Sequence, residues 1–181
     1  AGRVALVPPA AVLALVLPRW SSAAGGTTTI VPIEWFPALQ MTANLRFDYL
    51  GAFFAVLVAG VGLGVVQYSR VYLGPKASPR YWSAVLAFMG AMLGIVLSDS
   101  LVLLFIFWEL TTISSALLIG MDFEEASARR GAITALLVTG FGGLCLLAGV
   151  VLLGRMFGTY NLSELQANAN PIVAAPEHIF P

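Results

Sequence analysis

Long apolar runs separated by short polar segments make up most of the sequence. A helix needs about 20 mostly apolar residues to cross the hydrocarbon core of a bilayer, and five runs reach or approach that length. They cover residues 4–17, which is short, and residues 50–68, 82–98, 101–120 and 132–153. None alternates with the two-residue period of a membrane β-strand. Because only helices and closed barrels span membranes, the pattern predicts an all-α integral membrane protein, with a bundle of about five transmembrane helices in residues 1–160.

The composition supports a membrane protein and excludes several kinds of site. Hydrophobic residues make up 59% and charged residues 10% of the chain, whereas soluble domains average about 25% charged residues. Nine basic residues balance nine acidic ones, so no net charge indicates a nucleic-acid partner. The lone Cys145 lies in an apolar run, which excludes a disulfide framework and a cysteine-based metal site. The lone His178 has no plausible metal partner beside it, so we predict neither a metal site nor a cofactor.

The first apolar run allows two interpretations. Arg3, the apolar run and then the small residues Ser22-Ala23-Ala24 resemble a secretory signal with its cleavage site. Pro8-Pro9 interrupts the run, however, and the sequence begins at Ala1 instead of Met. We expect the chain to be a fragment of a longer protein, in which this run is a membrane helix.

The distribution of Lys and Arg predicts the orientation of the bundle, because cytoplasmic loops carry an excess of both. With five spans, one side carries six basic residues and the other carries Arg19, Arg46 and Arg155. The loops at 69–81 and 121–131 are therefore predicted to be cytoplasmic, and residues 161–181 to form an extracytoplasmic loop or tail that leads to further helices. The six basic residues of the predicted cytoplasmic side are Arg3, Arg70, Lys76, Arg80, Arg129 and Arg130.

Small residues at helical spacing predict close packing between the helices. Gly60 and Gly64 are four residues apart, as are Gly90 and Gly94, and such pairs let helix backbones approach. Gly142-Gly143 in the last run either packs in the same way or allows a local distortion.

Glu109 is the residue that an apolar span does not explain. At about 1.5 Å per residue it lies roughly 12 Å into the run that starts at Leu101, where an ionised carboxylate costs on the order of 2.5–3.5 kcal/mol. Its side chain must therefore face the bundle interior, a water-filled cavity or a cationic partner. Thr112 follows on the same helical face, and Ser115 and Ala116 continue that face.

A carboxylate that is both buried and close to a cation can load and release a proton near neutral pH, because the two influences oppose each other. Glu109 is therefore the candidate proton relay, with Thr112 as a pathway neighbour. The alternative is a structural glutamate that hydrogen-bonds across helices or stays protonated. Asp48 and Asp99 lie at helix ends, where each can cap a helix or line an entrance to the pathway; Asp is favoured at helix starts.

Several motifs resemble the A-type subunit of the Mrp-type Na⁺/H⁺ antiporters and occur in that family's order. A Trp-Glu pair alone fits the wider superfamily, including the antiporter-like subunits of respiratory complex I. The Thr-Thr-Ile-Ser-Ser continuation after Glu109 and the Gly-Ala-Met-Leu-Gly run favour the Mrp subunit. The matching segments are 32–37 (Pro-Ile-Glu-Trp-Phe-Pro), 47–50 (Phe-Asp-Tyr-Leu), 88–94 (Phe-Met-Gly-Ala-Met-Leu-Gly), 98–99 (Ser-Asp), 107–115 (Phe-Trp-Glu-Leu-Thr-Thr-Ile-Ser-Ser) and 142–144 (Gly-Gly-Leu).

The resemblance places the chain within a larger antiporter-like fold. The first run corresponds to the family's second helix, so no signal peptide is needed. Glu109 corresponds to the family's proton-pathway glutamate on its fifth helix. The lysine that pairs with this glutamate lies on a seventh helix beyond Pro181. Many relatives carry Lys where this chain has Thr134.

The implied function is that of a secondary transporter subunit, not an enzyme, in the cell inner (plasma) membrane. Glu109 would relay protons in exchange for Na⁺, with Asp99 as a pathway entrance. The implied partners are the lipid bilayer, the other subunits of the antiporter, Na⁺ and H⁺. Two alternatives stay open: a proton-translocating membrane subunit of a complex I-like or hydrogenase complex, and a structural assembly subunit in which Glu109 only locks helices together.

Overall fold

The computed structural model describes residues 2–20, 23, 25–36, 41–74 and 77–174 of the chain. Several residues named in the sequence-based expectations lie outside these ranges, namely Ala1, Ser22, Ala24, Pro37, Lys76, His178 and Pro181.

Within the described residues, four helices are long and apolar enough to cross a membrane. A shorter apolar helical segment precedes them and consists of α1 (Val7–Val16) with a 3₁₀ turn on each side, at Val4–Leu6 and Leu17–Arg19. The predicted all-α integral membrane fold is thus confirmed. The four long helices are α2 (Tyr49–Tyr72), α3 (Pro79–Leu97), α4 (Leu101–Ile119) and α5 (Ala126–Phe157), and a 13-residue helix follows, α6 (Leu162–Ala174).

Local sequence signals explain where these helices begin and end. Asp48 caps α2 by accepting a hydrogen bond of 2.7 Å from the backbone N–H of Gly51. Ser78 caps α3 through the N–H of Tyr81, and Pro79 occupies the first helical position, where its missing N–H costs nothing. Helix α5 ends at Gly158, whose φ of 70° lies in the left-handed region that favours glycine.

The segment between α1 and α2 contains short strands that the sequence pattern does not predict. Strand β1 (Thr29–Val31) pairs antiparallel with β4 (Leu45–Phe47), with Ile30 opposite Arg46. Between them, β2 (Glu34–Phe36) pairs with β3 (Met41–Thr42). The outer pair fixes the backbone that carries Arg46 to the start of α2.

The long helices pack as sequential antiparallel neighbours, with α3 against α4 and α4 against α5, while α1 packs on α2. Two small clusters of buried side chains hold the first helices together, one around Val66 and Trp82 and the other around Val16 and Ala52. The outer faces stay apolar, and Phe141, for example, is 70% exposed. Such a surface fits lipid or further membrane helices, since lipid tails accept apolar side chains without cost.

Glycine packing follows the sequence prediction at one position of the four. Added to Gly94, a Cβ would overlap the ring of Phe107 on α4, so α3 and α4 approach through this glycine. At Gly60, Gly64 and Gly90, a Cβ would meet no described atom within 4 Å. Within the described residues the packing interpretation is therefore wrong for these three. Gly62 and Gly51 of α2 do make close contacts, since an added Cβ would lie 2.7 Å from the sulfur of Met89 and 3.2 Å from the carbonyl oxygen of Val96, respectively.

We predict that Gly94→Ala destabilises the bundle and that Gly90→Ala does not. The added methyl group overpacks the contact with Phe107, which costs about 1–3 kcal/mol. Both changes bring the same gain in helix propensity, so Gly90→Ala is a matched control. Thermal unfolding of the detergent-solubilised full-length protein measures the difference. Equal melting temperatures for the two variants would show that Gly94 is not a packing contact.

Candidate functional site

Glu109 lies near the middle of α4, on the face that packs against α5. It is eight residues from the helix start, or about 12 Å along a helix of about 28 Å. Its carboxylate meets Gly143 of α5, so the side chain is directed into the contact between α4 and α5.

The carboxylate of Glu109 lies directly against Gly143 on α5. Gly143 is buried, and a Cβ added to it would overlap Oε1 of Glu109 and lie 3.0 Å from its Cδ. The acidic side chain thus occupies the space that a side chain at position 143 would fill. The sequence singles out Gly142-Gly143 only as a packing or distortion motif, because nothing local links it to a residue 34 positions earlier.

Oε1 of Glu109 is buried and has no hydrogen-bond partner among the described residues. An unsatisfied buried polar group costs about 1–3 kcal/mol, and more when it is charged. Within the described residues, Oε1 of Glu109 is thus left without a donor, so the carboxylate is a group that a proton or a cation would stabilise.

The hydroxyl groups near Glu109 donate hydrogen bonds to backbone carbonyls of their own helix. Thr112 is buried and donates to the carbonyl of Trp108 at 3.4 Å. Ser114 is buried as well and donates to the carbonyl of Leu110 at 2.6 Å. Such back-bonding satisfies a hydroxyl group inside an apolar span. Thr112 thus lies one turn from Glu109, and no hydrogen bond between them is described. The burial of Ser114 is not apparent from the sequence.

Asp99 has a different environment, because the carboxylate of this fully buried residue is supplied with hydrogen-bond donors. It accepts from the N–H of Ser163 at 3.1 Å and from the hydroxyl of Ser163 at 2.7 Å, and the carbonyl of Asp99 accepts from the N–H of Leu162 at 2.6 Å. Asp99 therefore caps α6. Asp99 does not cap α4, the helix that follows it, since the N-cap position of α4 is Ser100.

Arg46 joins Asp99 to the start of α2. Its Nη2 lies 2.8 Å from the carboxylate of Asp48, its Nη1 lies 4.0 Å from that of Asp99, and Nη1 also donates to the side-chain oxygen of Gln166 at 3.0 Å. We call Arg46, Asp48, Asp99, Ser163 and Gln166 the rim network. Part of this network lines a cavity of about 230 Å³.

The rim network and Glu109 are separate along the helix. Asp99 precedes Glu109 by ten residues, or about 15 Å of helical rise.

Within the described ranges, no cluster of three or more His, Cys, Asp or Glu residues can hold a metal ion. The sole Cys145 is exposed on α5.

The first turn of α6 also carries Glu164, which is exposed to solvent. It accepts hydrogen bonds from the hydroxyl of Thr159 and from the side-chain amide of Asn161. These two hydrogen bonds, that of Thr159 foremost, lower the pKa of Glu164. The side chain is therefore ionised near the positive end of the α6 dipole, where a negative charge is favourable.

The helices and the apolar outer faces define a multi-pass membrane protein with a fold of the antiporter-like class. The sequence model of the family "NADH:quinone oxidoreductase/Mrp antiporter, TM" matches residues 98–180, the part that contains Asp99, Glu109 and Gly143. The chain belongs to this family.

Named relatives agree with this assignment. The chain is 42% identical over 161 residues to the A1 subunit of a Na⁺/H⁺ antiporter of Staphylococcus haemolyticus. The aligned region covers 88% of this chain and 20% of the relative. It is 43% identical over 141 residues to a Rhizobium meliloti protein named as a probable K⁺/H⁺ antiporter subunit, covering 77% of this chain and 14% of the relative.

A solved structure shows the same fold. A chain of the Mrp complex from Dietzia sp. DQ12-45-1b superimposes with a TM-score of 0.77 at 36% identity, covering 87% of this chain and 17% of that chain. The chain thus spans a fifth or less of the length of these three relatives.

We predict that Ser163→Ala loosens α6 from the rest of the bundle. The change removes a hydrogen bond to the buried carboxylate of Asp99, and hydrogen bonds to charged groups contribute about 1.5–3 kcal/mol. Hydrogen exchange of the α6 amides in the purified full-length protein should become faster. Ser83→Ala is the control, since the exposed Ser83 bonds only to its own helix. Unchanged α6 exchange in Ser163→Ala would show that the Asp99 cap does not hold this helix.

Proposed function

We propose that the chain forms part of a subunit of a monovalent cation/proton antiporter and that Glu109 relays the protons. The observation that carries the proposal is the carboxylate of Glu109 near the middle of a membrane helix, with one oxygen buried and without a described partner. Intramembrane acids of this kind are functional by default, because their burial is costly. The names of the relatives support the same reading.

The relay works through a change of charge within an apolar contact. Uptake of a proton makes Glu109 neutral and removes the cost of burying its charge. Release restores the charge, which is stabilised when a cation lies nearby. The lysine on a later helix of the family is the proposed partner, and the resulting attraction would couple proton movement to movement of the cation. No bond of a substrate is broken, so the proposed protein is a transporter.

The exchanged cation is proposed to be Na⁺. One relative is named for Na⁺ and the other for K⁺, so both ions belong in the assay. Thr112 is proposed as a neighbour of the pathway, one turn from Glu109. For Asp99 the proposal of a pathway entrance is weaker, because its carboxylate is already engaged by Ser163 and faces Arg46.

A redox-driven proton pump is the second candidate. The family description also includes NADH:quinone oxidoreductases, in which the same helix would relay protons without cation exchange. Dependence of proton movement on Na⁺ or K⁺ separates the two. A structural Glu109, which only locks helices together, is the third candidate, and replacement of Glu109 by Gln separates it from a proton relay.

We expect Glu109→Gln in the full-length complex to abolish cation-dependent dissipation of ΔpH in everted vesicles while assembly persists. Glutamine has nearly the same shape but cannot carry the proton. Glu124→Gln, in the exposed loop before α5, is the matched control and should retain full exchange. Normal antiport by the Glu109→Gln variant would contradict the proton-relay proposal.

The chain is proposed to lie in the plasma membrane with the loops at 69–81 and 121–131 in the cytoplasm. We expect Ala167→Cys to react with a membrane-impermeant maleimide from outside spheroplasts, and Glu124→Cys to react only in everted vesicles. Both positions are exposed, and a Cys145→Ser background removes the native thiol. Labelling of both positions from one side would contradict this topology.

A further inference from the structure

Gly143 is the position at which α5 touches the carboxylate of Glu109. Three other glycines of α5, Gly140, Gly142 and Gly149, have no described atom within 4 Å of an added Cβ. Gly143 differs from them because a Cβ there would overlap Oε1 of Glu109. We propose that Gly143 is a positioning residue whose missing side chain sets where the Glu109 carboxylate lies; this inference rests on the proposed proton relay.

The geometry indicates which group would move if position 143 carried a side chain. The Cβ would lie 3.0 Å from Cδ of Glu109 and 3.6 Å from Oε2, so it would displace the carboxylate group as a whole. The carboxylate is the end of a flexible side chain, whereas α4 and α5 are packed along their length. The side chain of Glu109 therefore yields before the helices separate.

A displaced carboxylate would no longer meet its proton donor or acceptor. Proton transfer requires heavy atoms within about 2.6–3.2 Å of each other, and a shift of about 1 Å in a reacting group can cost on the order of a hundredfold in rate. Gly143 thus acts through Glu109, and its effect should depend on the length of the side chain at position 109.

The test uses Gly143→Ala in the full-length complex, with Gly142→Ala as the matched control in the next position of the same helix. We expect Gly143→Ala to lower the initial rate of cation-dependent ΔpH dissipation by about ten- to a hundredfold and to change its pH dependence. Gly142→Ala should keep the rate and the pH dependence of the unmodified complex.

A double variant, Glu109→Asp with Gly143→Ala, separates positioning from general packing. Aspartate is one methylene shorter, so it makes room for the added methyl group. Glu109→Asp alone is the reference, because the shorter side chain has its own effect on the rate. We expect Gly143→Ala to slow exchange several times less in the Glu109→Asp background than in the unmodified complex, which is a non-additive coupling of the kind that residues in contact show. If Gly143→Ala prevents assembly, recovery of assembly in the double variant supports the contact, and no recovery overturns the proposal.

The outcomes for the relay and for the positioning residue are distinguishable. Full antiport by the Glu109→Gln variant would contradict the proposed proton relay itself. Loss of antiport in Glu109→Gln together with equal rates for Gly143→Ala and Gly142→Ala leaves the relay standing and overturns the role of Gly143. An equal loss from Gly143→Ala in the unmodified and Glu109→Asp backgrounds also overturns it, because the defect would then be one of helix packing.

Discussion

The close contact between Glu109 and Gly143 is the constraint that lets a polar side chain lie in the apolar interface between α4 and α5. Within a bilayer each polar group must find its partner in the protein, because lipid offers none. The helices satisfy their own backbone groups, and Thr112 and Ser114 bond to carbonyls of α4. An ionised glutamate cannot bond to a carbonyl of its own helix in this way, because its carboxylate has no hydrogen to donate. Its carboxylate is placed between two helices, which is possible because position 143 has no side chain.

In the rim network, a buried carboxylate is instead satisfied by hydrogen bonds from the protein. Asp99 is fully buried, yet its carboxylate accepts two hydrogen bonds from Ser163 and faces Arg46. These contacts join the turn between α3 and α4 to α6 and to the β-ladder before α2. Two acidic residues ten positions apart thus have opposite environments. The satisfied one is suited to holding elements in place, and the unsatisfied one to exchanging a proton.

Much of the fold follows from the sequence because its signals are local. Apolar runs of membrane length predict the long helices, and Asp48 and Pro79 mark where α2 and α3 begin. The β-ladders are not predicted, since β1 and β4 are short and pair across 13 intervening residues, 32–44. Gly60, Gly64 and Gly90 meet no neighbour among the described residues, because a four-residue spacing does not say which face of a helix meets which neighbour.

The sequence by itself determined the class of protein and the residue of greatest interest, because apolar runs of membrane length, and a carboxylate deep within one of them, can be recognised along the chain. Only the tertiary structure decided what surrounds the acidic residues. It placed Gly143 against Glu109, assigned Asp99 to α6 instead of α4, and showed that the hydroxyl of Thr112 bonds to its own helix. These contacts arise where helices meet, and helix packing brings together residues whose distance along the chain carries no signal.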